Sequence, residues 1–408
     1  MRIFQINAVY GHLSTGSNVF EMNEDFRAKG HTCMAAYSVG SVRNSAQEYL
    51  IGRRFGQKVH ALLSRALGLQ GYFSSGATRK LLHKLDEFRP DVVVLNNLHA
   101  NYINLPMLLK YLAKKDIPTV AVLHDCWFYT GKCCYYTAVS CEKWKTRCGG
   151  CPAVGKHNKS WFFDFTKKMH GDRKKLFGAI PRLGVVAVSD WLQEQAKQAP
   201  VFENAAQITR IHNWIDTRQF TPVDGSAVRQ KLKLEDKNVM LAVAAAWEPR
   251  KGMDALRQIA GKLQENERLV IIGKISEGVS LPENAICIPR TDSKEELVQY
   301  YSMADVFLQP SIEETFGKVT AEALACGTPV VCFNSTANPE LVGDHCGAVV
   351  PVGDAQGMLR EAREIVKNGK ETYSAFCRAF VEDRFNTEKI FEQYLQVFTQ
   401  LQTQGERK

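Results

Sequence analysis

The chain has 408 residues, 45% of them hydrophobic and 23% charged. That is an ordinary globular composition; it excludes a disordered or fibrous chain and gives length for two domains, each with its own core. The net charge of +9 is uneven: residues 1–200 carry 28 Lys and Arg against 14 Asp and Glu, and residues 201–408 carry 24 against 29, so the first half is expected to meet an anionic partner (phospholipid, lipid pyrophosphate or nucleic acid) unless the charge serves solubility alone.

The N-terminus, MRIFQINAVYGH, enters a strand directly at Ile3–Ala8 with no basic and then apolar leader, and no later apolar run reaches the roughly 18 residues that cross a bilayer. A cytoplasmic protein is expected, either free or peripheral on the inner face of the cytoplasmic membrane. After the first strand, Gly11 and Gly16 bracket a loop, VYGHLSTGSN, in which Ser14, Thr15 and Ser17 offer hydroxyls to a phosphate or an acceptor; a simple turn reads almost as well. Thr32–Tyr37 is the next strand. In Arg53–Leu69, Phe55, Val59, Leu62, Leu63, Ala66 and Leu67 share one helical face, with Arg53, Arg54, Lys58 and Arg65 largely off it. Such a helix either lies in a membrane interface or packs on a sheet.

A helix at Thr78–Phe88 leads to the strand Val92–Leu95, with His99 and Asn101 just past its end as acceptor-side candidates. A helix at Leu105–Lys115 leads to the strand Val120–Leu123, which ends in His124-Asp125. Next comes CWFYTGKCCYYTAVSCEKWKTRCGGCP, holding six of the twelve cysteines. Cys148 and Cys151 have zinc-knuckle spacing; with Cys141 and Cys133 they make four thiolates for a structural zinc ion, and Cys134 is an alternative to Cys133. Free thiols and disulfides are the other readings. The segment has few aliphatic residues, so a metal staple would hold its shape. Trp161–Phe177 then mixes Trp161, Phe162, Phe163, Phe165 and Phe177 with five Lys and Arg, including Lys174 and Lys175, as a second amphipathic stretch.

Val185–Val188 closes the first half, and NWIDTRQFTPVDG, at Asn213–Asp224, reads as a joint. Strands follow at Val239–Ala245, Leu269–Ile272, Ala285–Ile288, Val306–Leu308, Val330–Phe333 and Ala348–Val350, with helices at Asp254–Gln264, Lys294–Met303 and Thr320–Cys326. This alternation predicts an α/β protein of two Rossmann-like domains. The expected division is 1–212, with a cysteine-rich insertion at about 126–157, then 213–386, then a helix at 387–408 that packs back on the first domain. Ligands of parallel sheets gather at the carboxyl ends of strands, which for two facing domains is the cleft between them.

The segment PSIEETFGKVTAEALACGTPVV, Pro310–Val331, follows a strand and turns helical. Gly317 allows close backbone approach, a helix N-terminus suits a diphosphate, and a carboxylate farther along can accept ribose hydroxyls. On spacing alone, two exposed glutamates on an amphipathic helix read better. Glu314 and Glu322, with seven residues between them and Gly327-Thr328-Pro329-Val330 behind them, resemble the signature of retaining GT-B glycosyltransferases of family 4. Ala304-Asp305-Val306-Phe307, Pro249-Arg250-Lys251-Gly252, and Asn213 and Asp216 with Phe220 and Pro222 agree in order. The likeness is strongest to bacterial capsular and colanic-acid-type exopolysaccharide enzymes.

That resemblance implies the GT-B fold and a set of roles. Glu322 would bind the donor ribose, Glu314 and the amides around Phe316 and Gly317 the transferred sugar, and Lys251, aided by Arg250, the diphosphate. His124 would contact the sugar near the reacting centre, a satisfied core histidine being the alternative, and the Gly11–Gly16 loop would correspond to the family's glycine-rich loop. Where the family carries an Arg after Gly, this chain has Ala246, followed by Trp247.

The sequence contains no Asp-x-Asp pair for a catalytic divalent ion, so cationic side chains and a helix N-terminus would neutralise the leaving group. The expected activity is hexose transfer, with retention, from a nucleoside diphosphate sugar to a lipid-linked glycan in surface polysaccharide synthesis. The expected partners are that donor, that acceptor and an anionic membrane surface. The alternatives are a GT-B-fold nucleotide-sugar epimerase, or a non-catalytic zinc-bearing protein that binds nucleic acid; the absence of an aromatic-basic RNA motif speaks against nucleic acid.

Overall fold

The alternating apolar runs resolve into two parallel sheets, each in its own contact unit: Met1–Ile211 with Phe391–Lys408, and His212–Ile390. The computed structural model describes residues 1–156, 158–275, 278 and 280–404. Residue 157, at the end of the predicted insertion, and residues 405–408, at the end of the predicted last helix, lie outside the described residues.

In the first unit the chain runs β1 (Arg2–Ile6), α1 (Leu13–Ala28), β2 (Thr32–Tyr37), β3 (Glu48–Leu50), α2 (Arg54–Leu67), α3 (Ser75–Phe88), β4 (Val92–Leu95), α4 (Leu105–Lys114), β5 (Thr119–Leu123), α5 (Thr166–Phe177), β6 (Leu183–Ala187), α6 (Asp190–Gln198) and β7 (Gln207–Arg210). The strands pair in the order β3-β2-β1-β4-β5-β6-β7. β4, β5 and β6 read VVVL, TVAVL and LGVVA and are buried throughout, as befits strands covered on both faces. The edge strands β3 and β7 are only EYL and QITR, too short and too polar to register as apolar runs. The order reverses between β1 and β4, so the loops leaving these strands diverge there and open a crevice.

The second unit runs α7 (Ser226–Leu232), β8 (Asn238–Trp247), α8 (Met253–Ala260), β9 (Glu267–Ile275), β10 (Ala285–Ile288), α9 (Lys294–Met303), β11 (Val306–Gln309), α10 (Lys318–Ala325), β12 (Val330–Phe333), β13 (Gly347–Val350), α11 (Ala355–Asn368) and α12 (Glu371–Arg384). Its strand order is β10-β9-β8-β11-β12-β13, reversing between β8 and β11. One apolar core joins the inner faces of β8, β9, β11 and β12 to α8 and α11. The last helix, α13 (Thr387–Thr403), returns to the first unit. There Phe26 meets Phe391 and Phe398 at ring-centroid distances of 5.8 and 6.0 Å, and Leu401 lies so close to β6 that a Cβ on Gly184 would come within 2.8 Å of it.

Two local expectations change, and the direction of one apolar stripe, left open by the sequence, becomes visible. The segment after β1 is a loop only as far as His12: α1 begins at Leu13, so Gly16 and Ser17 are helical. A Cβ on Gly16 would sit 2.8 Å from Val9 Cγ2, so this glycine lets the helix close down on the preceding loop. Trp161–Phe165 is irregular, with the helix starting only at Thr166. Helix α2 is helical as its periodicity implies, but the residues it buries are His60 and Ser64. His60 Nδ1 lies 2.7 Å from Ser74 Oγ, and the Gly71 amide donates to His60 Nε2 at 3.3 Å. The apolar stripe faces outward instead, with Phe55 79% and Leu62 54% exposed.

Candidate active site

In the second unit the loops leaving β8 and β11 converge at the reversal point. The β8 loop tightens into a short 3-10 turn, Pro249–Lys251, and Gly252 follows at φ +83°. A Cβ on Gly252 would lie 2.0 Å from the Pro310 carbonyl oxygen, so only glycine lets the two loops touch. The Ile312 amide donates to the Arg250 carbonyl at 2.9 Å. This contact brings Lys251 Nζ into an ion pair with the Glu314 carboxylate, both side chains largely buried. The Glu314 amide donates to Thr336 Oγ1 at 2.8 Å, which ties the turn to the loop after β12.

Helix α10 is entered through Gly317, φ +93°, a residue with no side chain to cap the helix; its first amides and the helix dipole favour an anion. Phe316 beside it is core, 3% exposed and edge-on to Phe385 at 5.2 Å. The backbone of this residue, rather than its ring, is therefore what can serve a ligand. Glu322 lies within α10, and the Tyr301 hydroxyl donates to its Oε2 at 3.0 Å. Burial, reinforced by the Glu322 charge, raises the Tyr301 hydroxyl well above its ordinary range, so it remains a donor. Arg250 turns towards Glu248, 3.4 Å away, and Ala246 is exposed at the end of β8.

In the first unit, the loops after β1, β4 and β5 meet. The Asn97 amide donates to Asn7 Oδ1 at 3.0 Å, and His124 Nε2 lies 3.0 Å from Asn96 Oδ1. An amide oxygen only accepts, so Nε2 carries the proton and Nδ1 is the acceptor nitrogen. Burial pushes the His124 imidazole down to about 4, with Asp125 opposing the shift and His99 assisting it. His99 Nε2 pairs with Asp125 Oδ2 at 2.9 Å, and the Trp127 amide donates to Asp125 Oδ1 at 2.8 Å. Burial acts to raise the Asp125 carboxyl, but His99 and this amide outweigh it and hold the group below its ordinary range. Gly11 takes φ +72°, and its amide donates to the Gly16 carbonyl at 2.9 Å, while Ser17 sits half-buried on α1. A cavity of about 490 Å³ is lined by Arg65, Gln70, Asn101, Asn158 and Trp161 among others. Gln70 ties it to the histidine loop and the indole behind it, since its Nε2 donates to the His99 carbonyl and its Oε1 accepts from Trp127 Nε1 at 2.9 Å.

Cys133, Cys141, Cys148 and Cys151 line one small cavity. Cys134 points elsewhere: its Sγ accepts from Asn158 Nδ2 at 3.5 Å and lies with the ligand atoms of His99 and Asp125, all three within 4.8 Å of one another. None of the twelve cysteines is joined to another in a disulfide. The insertion also has a core that a count of aliphatics overlooks, with the Trp144 ring centroid 5.0 Å from both Tyr129 and Tyr136.

Sequence reasoning passed over Tyr301, Thr336, Asn96 and Gln70, and named Asp125 without a role. Asp125 and Thr336 carried a usable signal, since each follows the end of a strand. Tyr301 and Gln70 carried none, because they reach their partners from helical or turn segments distant in the chain.

Two families match the chain. "Glycosyltransferase Family 4" matches residues 18–219, and "Glycosyl transferases group 1" matches residues 226–383. A D-inositol 3-phosphate glycosyltransferase of Mycobacterium sp. (strain KMS) is 31% identical over 193 residues; the matched stretch is 44% of this chain and 44% of that protein, less than half the length of the relative. Sucrose-phosphate synthase from Thermosynechococcus elongatus has the same fold, with TM-score 0.70 and 18% identity over 98% of both chains. Anabaena HepE in complex with UDP aligns with TM-score 0.67 and 14% identity over 98% of this chain and 100% of that one.

Proposed function

Since the chain belongs to the GT-B glycosyltransferases of group 1 and family 4, we propose that it moves a hexose from a nucleoside diphosphate sugar to a lipid-linked glycan, with retention, in the assembly of a bacterial surface polysaccharide. The observation that carries this reading is the reversal point of the second sheet, where Lys251 and Glu314 come from adjoining loops and the chain passes through Gly317 into the helix that holds Glu322. Lys251 and the α10 amides take the diphosphate, Arg250 adds charge beside them, and Glu322 accepts the ribose hydroxyls. Glu314, released from Lys251, accepts sugar hydroxyls, and the neutral His124 is a polar contact for the transferred sugar.

In the reaction the bond from the anomeric carbon to the diphosphate oxygen breaks on the face where the acceptor oxygen bonds. The acceptor proton passes to a phosphate oxygen of the leaving group. Catalysis rests on positioning and on electrostatic stabilisation of that leaving group, with no protein nucleophile and no catalytic divalent ion.

The first unit is read as the acceptor side. Amide side chains beside an aromatic ring, as in the Gln70–Trp161 cavity, suit sugar hydroxyls and C–H faces. Next to it lie the outward stripe of α2 and the exposed Trp161, Phe162 and Phe163. The Trp161 amide donates to the Arg65 carbonyl at 2.7 Å, so the two apolar surfaces adjoin. Apolar side chains rimmed by Arg53, Arg54, Lys58 and Arg65 fit an anionic membrane, where a lipid-linked acceptor resides. The described residues contain no helix long and apolar enough to cross a membrane.

A soluble phosphorylated polyol, as in the name of the mycobacterial relatives, is the second reading for the acceptor and is favoured by the basic charge of the first 200 residues. The test is incubation with labelled UDP- and GDP-hexoses in EDTA, with either bacterial lipid extract or inositol phosphate. Label in the organic phase, with the anomeric configuration kept, supports the proposal. Label only in a soluble phosphorylated sugar supports the second reading, and release of free sugar alone or an inverted product contradicts both.

A further inference from the structure

Between Asp125 and Thr166 the described residues form two short 3-10 turns, Thr137–Val139 and Lys143–Lys145, and no longer helix or strand. The aromatic cluster of Tyr129, Tyr136 and Trp144 orders one side of this long segment. On its other side Cys133, Cys141, Cys148 and Cys151 are among the residues that line a cavity of about 20 Å³, room for one water-sized or ion-sized occupant; no three of their sulfurs lie within 4.8 Å of one another among the described residues, so a bound ion would draw them together. We propose that Cys133, Cys141, Cys148 and Cys151 hold a single structural zinc ion as a tetrathiolate.

A water molecule needs nitrogen or oxygen partners, whereas four cysteines lining one cavity suit a borderline-soft cation. The Cys148–Cys151 turn is shaped for that purpose. Gly149 and Gly150 take φ +143° and +53°, so the chain can fold back within two residues and bring both Cys148 and Cys151 to the same cavity. Backbone amides support the sulfurs: Gly131 donates to Cys148 Sγ at 3.3 Å, and Ala153 donates to Cys151. Such N–H to sulfur bonds spread thiolate charge and fix the ligands. Lys143 Nζ donates to the Gly149 and Gly150 carbonyls at 3.0 and 2.7 Å, and Lys132 Nζ to the Val154 carbonyl at 2.6 Å. Two ammonium groups thus brace the turn and face the net negative charge that four thiolates leave on a divalent ion. On binding, each thiol releases its proton to solvent as its sulfur bonds the metal.

The staple has a second consequence. The Cys126 amide donates to the Cys134 carbonyl at 3.0 Å, so the strand end carrying His124 and Asp125 is tied to the residue next to a zinc ligand. The metal therefore sets the loop behind the His99–Asp125 pair.

The structure also supplies the control, because His99, Asp125 and Cys134 form a separate group of potential ligands. Elemental analysis of freshly purified, reduced, full-length protein should find about one zinc per chain, as a four-thiolate site requires. Cobalt(II) exchanged into the protein should show the sulfur-to-metal charge-transfer band of a tetrahedral thiolate site. Cys133→Ser and Cys148→Ser should lose the zinc, and Cys134→Ser should keep it. Wild-type protein without zinc and without a cobalt spectrum overturns the proposal even if the variants fail to fold. Zinc that survives Cys133→Ser but is lost in Cys134→Ser also overturns it, by placing the ion at His99, Asp125 and Cys134.

Discussion

Lys251 and Glu314, sixty-three residues apart in sequence, form an ion pair where the second sheet reverses its strand order. Each neutralises the other in a largely buried position, which a lone charge there would tolerate poorly. A donor diphosphate competes for the ammonium and leaves the carboxylate to accept sugar hydroxyls. The pair is thus a resting arrangement of two binding groups.

Lys251→Ala should therefore weaken nucleoside diphosphate binding much more than nucleoside binding. A charge-assisted hydrogen bond contributes roughly 1.5–3 kcal/mol, so the loss should be about tenfold or greater. Calorimetry with the diphosphate and the bare nucleoside measures the difference; equal losses for both would place Lys251 away from the phosphates.

Tyr301 acts through Glu322 and is a positioning residue. Tyr301→Phe removes the hydroxyl donor 3.0 Å from Glu322 Oε2 and leaves the ring packing in place. Donor KM should rise several-fold with kcat nearly unchanged, the pattern of a lost contact that ground and transition states share. A fall in kcat at constant KM would contradict this role.

Acid should weaken the protein through three buried histidines. Burial, the leading cause in each case, lowers His60, His124 and His170 to about 4. An unfolded histidine titrates near 6.5. Between those values the unfolded chain binds more protons than the folded one, so the contribution of these residues to stability is complete above about pH 6.5 and is lost as the pH falls through about 4. Denaturant midpoints should hold from pH 7.5 to about 6.5 and then drop towards pH 4.5, and His170→Asn should flatten the slope. A midpoint independent of pH across that window would contradict the burial of these imidazoles as neutral groups.

The outward stripe of α2 should bind membranes. Phe55→Ser with Leu62→Ser removes two exposed apolar side chains, and Arg54→Glu with Lys58→Glu reverses the rim. Sedimentation with anionic liposomes at low salt should show weaker binding for both pairs and release of the wild type by high salt, while donor affinity stays unchanged. Lys174 is a poorer site for charge reversal, because it already pairs with Glu203 at 2.9 Å. Equal binding of wild type to neutral and anionic liposomes would remove the membrane from the proposal.

These tests also mark where sequence reading succeeds and stops. The parallel strands were legible because a strand buried on both faces is a nearly unbroken apolar run; Val92–Leu95 and Val330–Phe333 have the same bounds in the sequence and in the structure. Glu314, Glu322 and Lys251 stood out through the resemblance of their motifs to a known family and not through spacing alone, and their convergence depends on strand order. Periodicity identified the apolar stripe of α2 without its direction, which is set by the polar contacts of His60 with Ser74 and Gly71. The choice between Cys133 and Cys134 was equally closed to spacing, because neighbouring residues of an irregular chain point apart. Gly16 looked like a loop residue because glycine permits turns, whereas here it permits a helix to touch a loop.

Glu322 tests the central claim most directly, since the donor reading assigns it the ribose hydroxyls. Wild type and Glu322→Ala should be titrated with UDP and GDP by calorimetry. The wild type should bind one of the two at a single site, and the variant should bind it at least about tenfold more weakly, from the loss of hydrogen bonds to a charged acceptor. Equal affinity in both proteins, or no binding of either nucleotide by the wild type, would contradict a nucleotide-sugar site in the second unit.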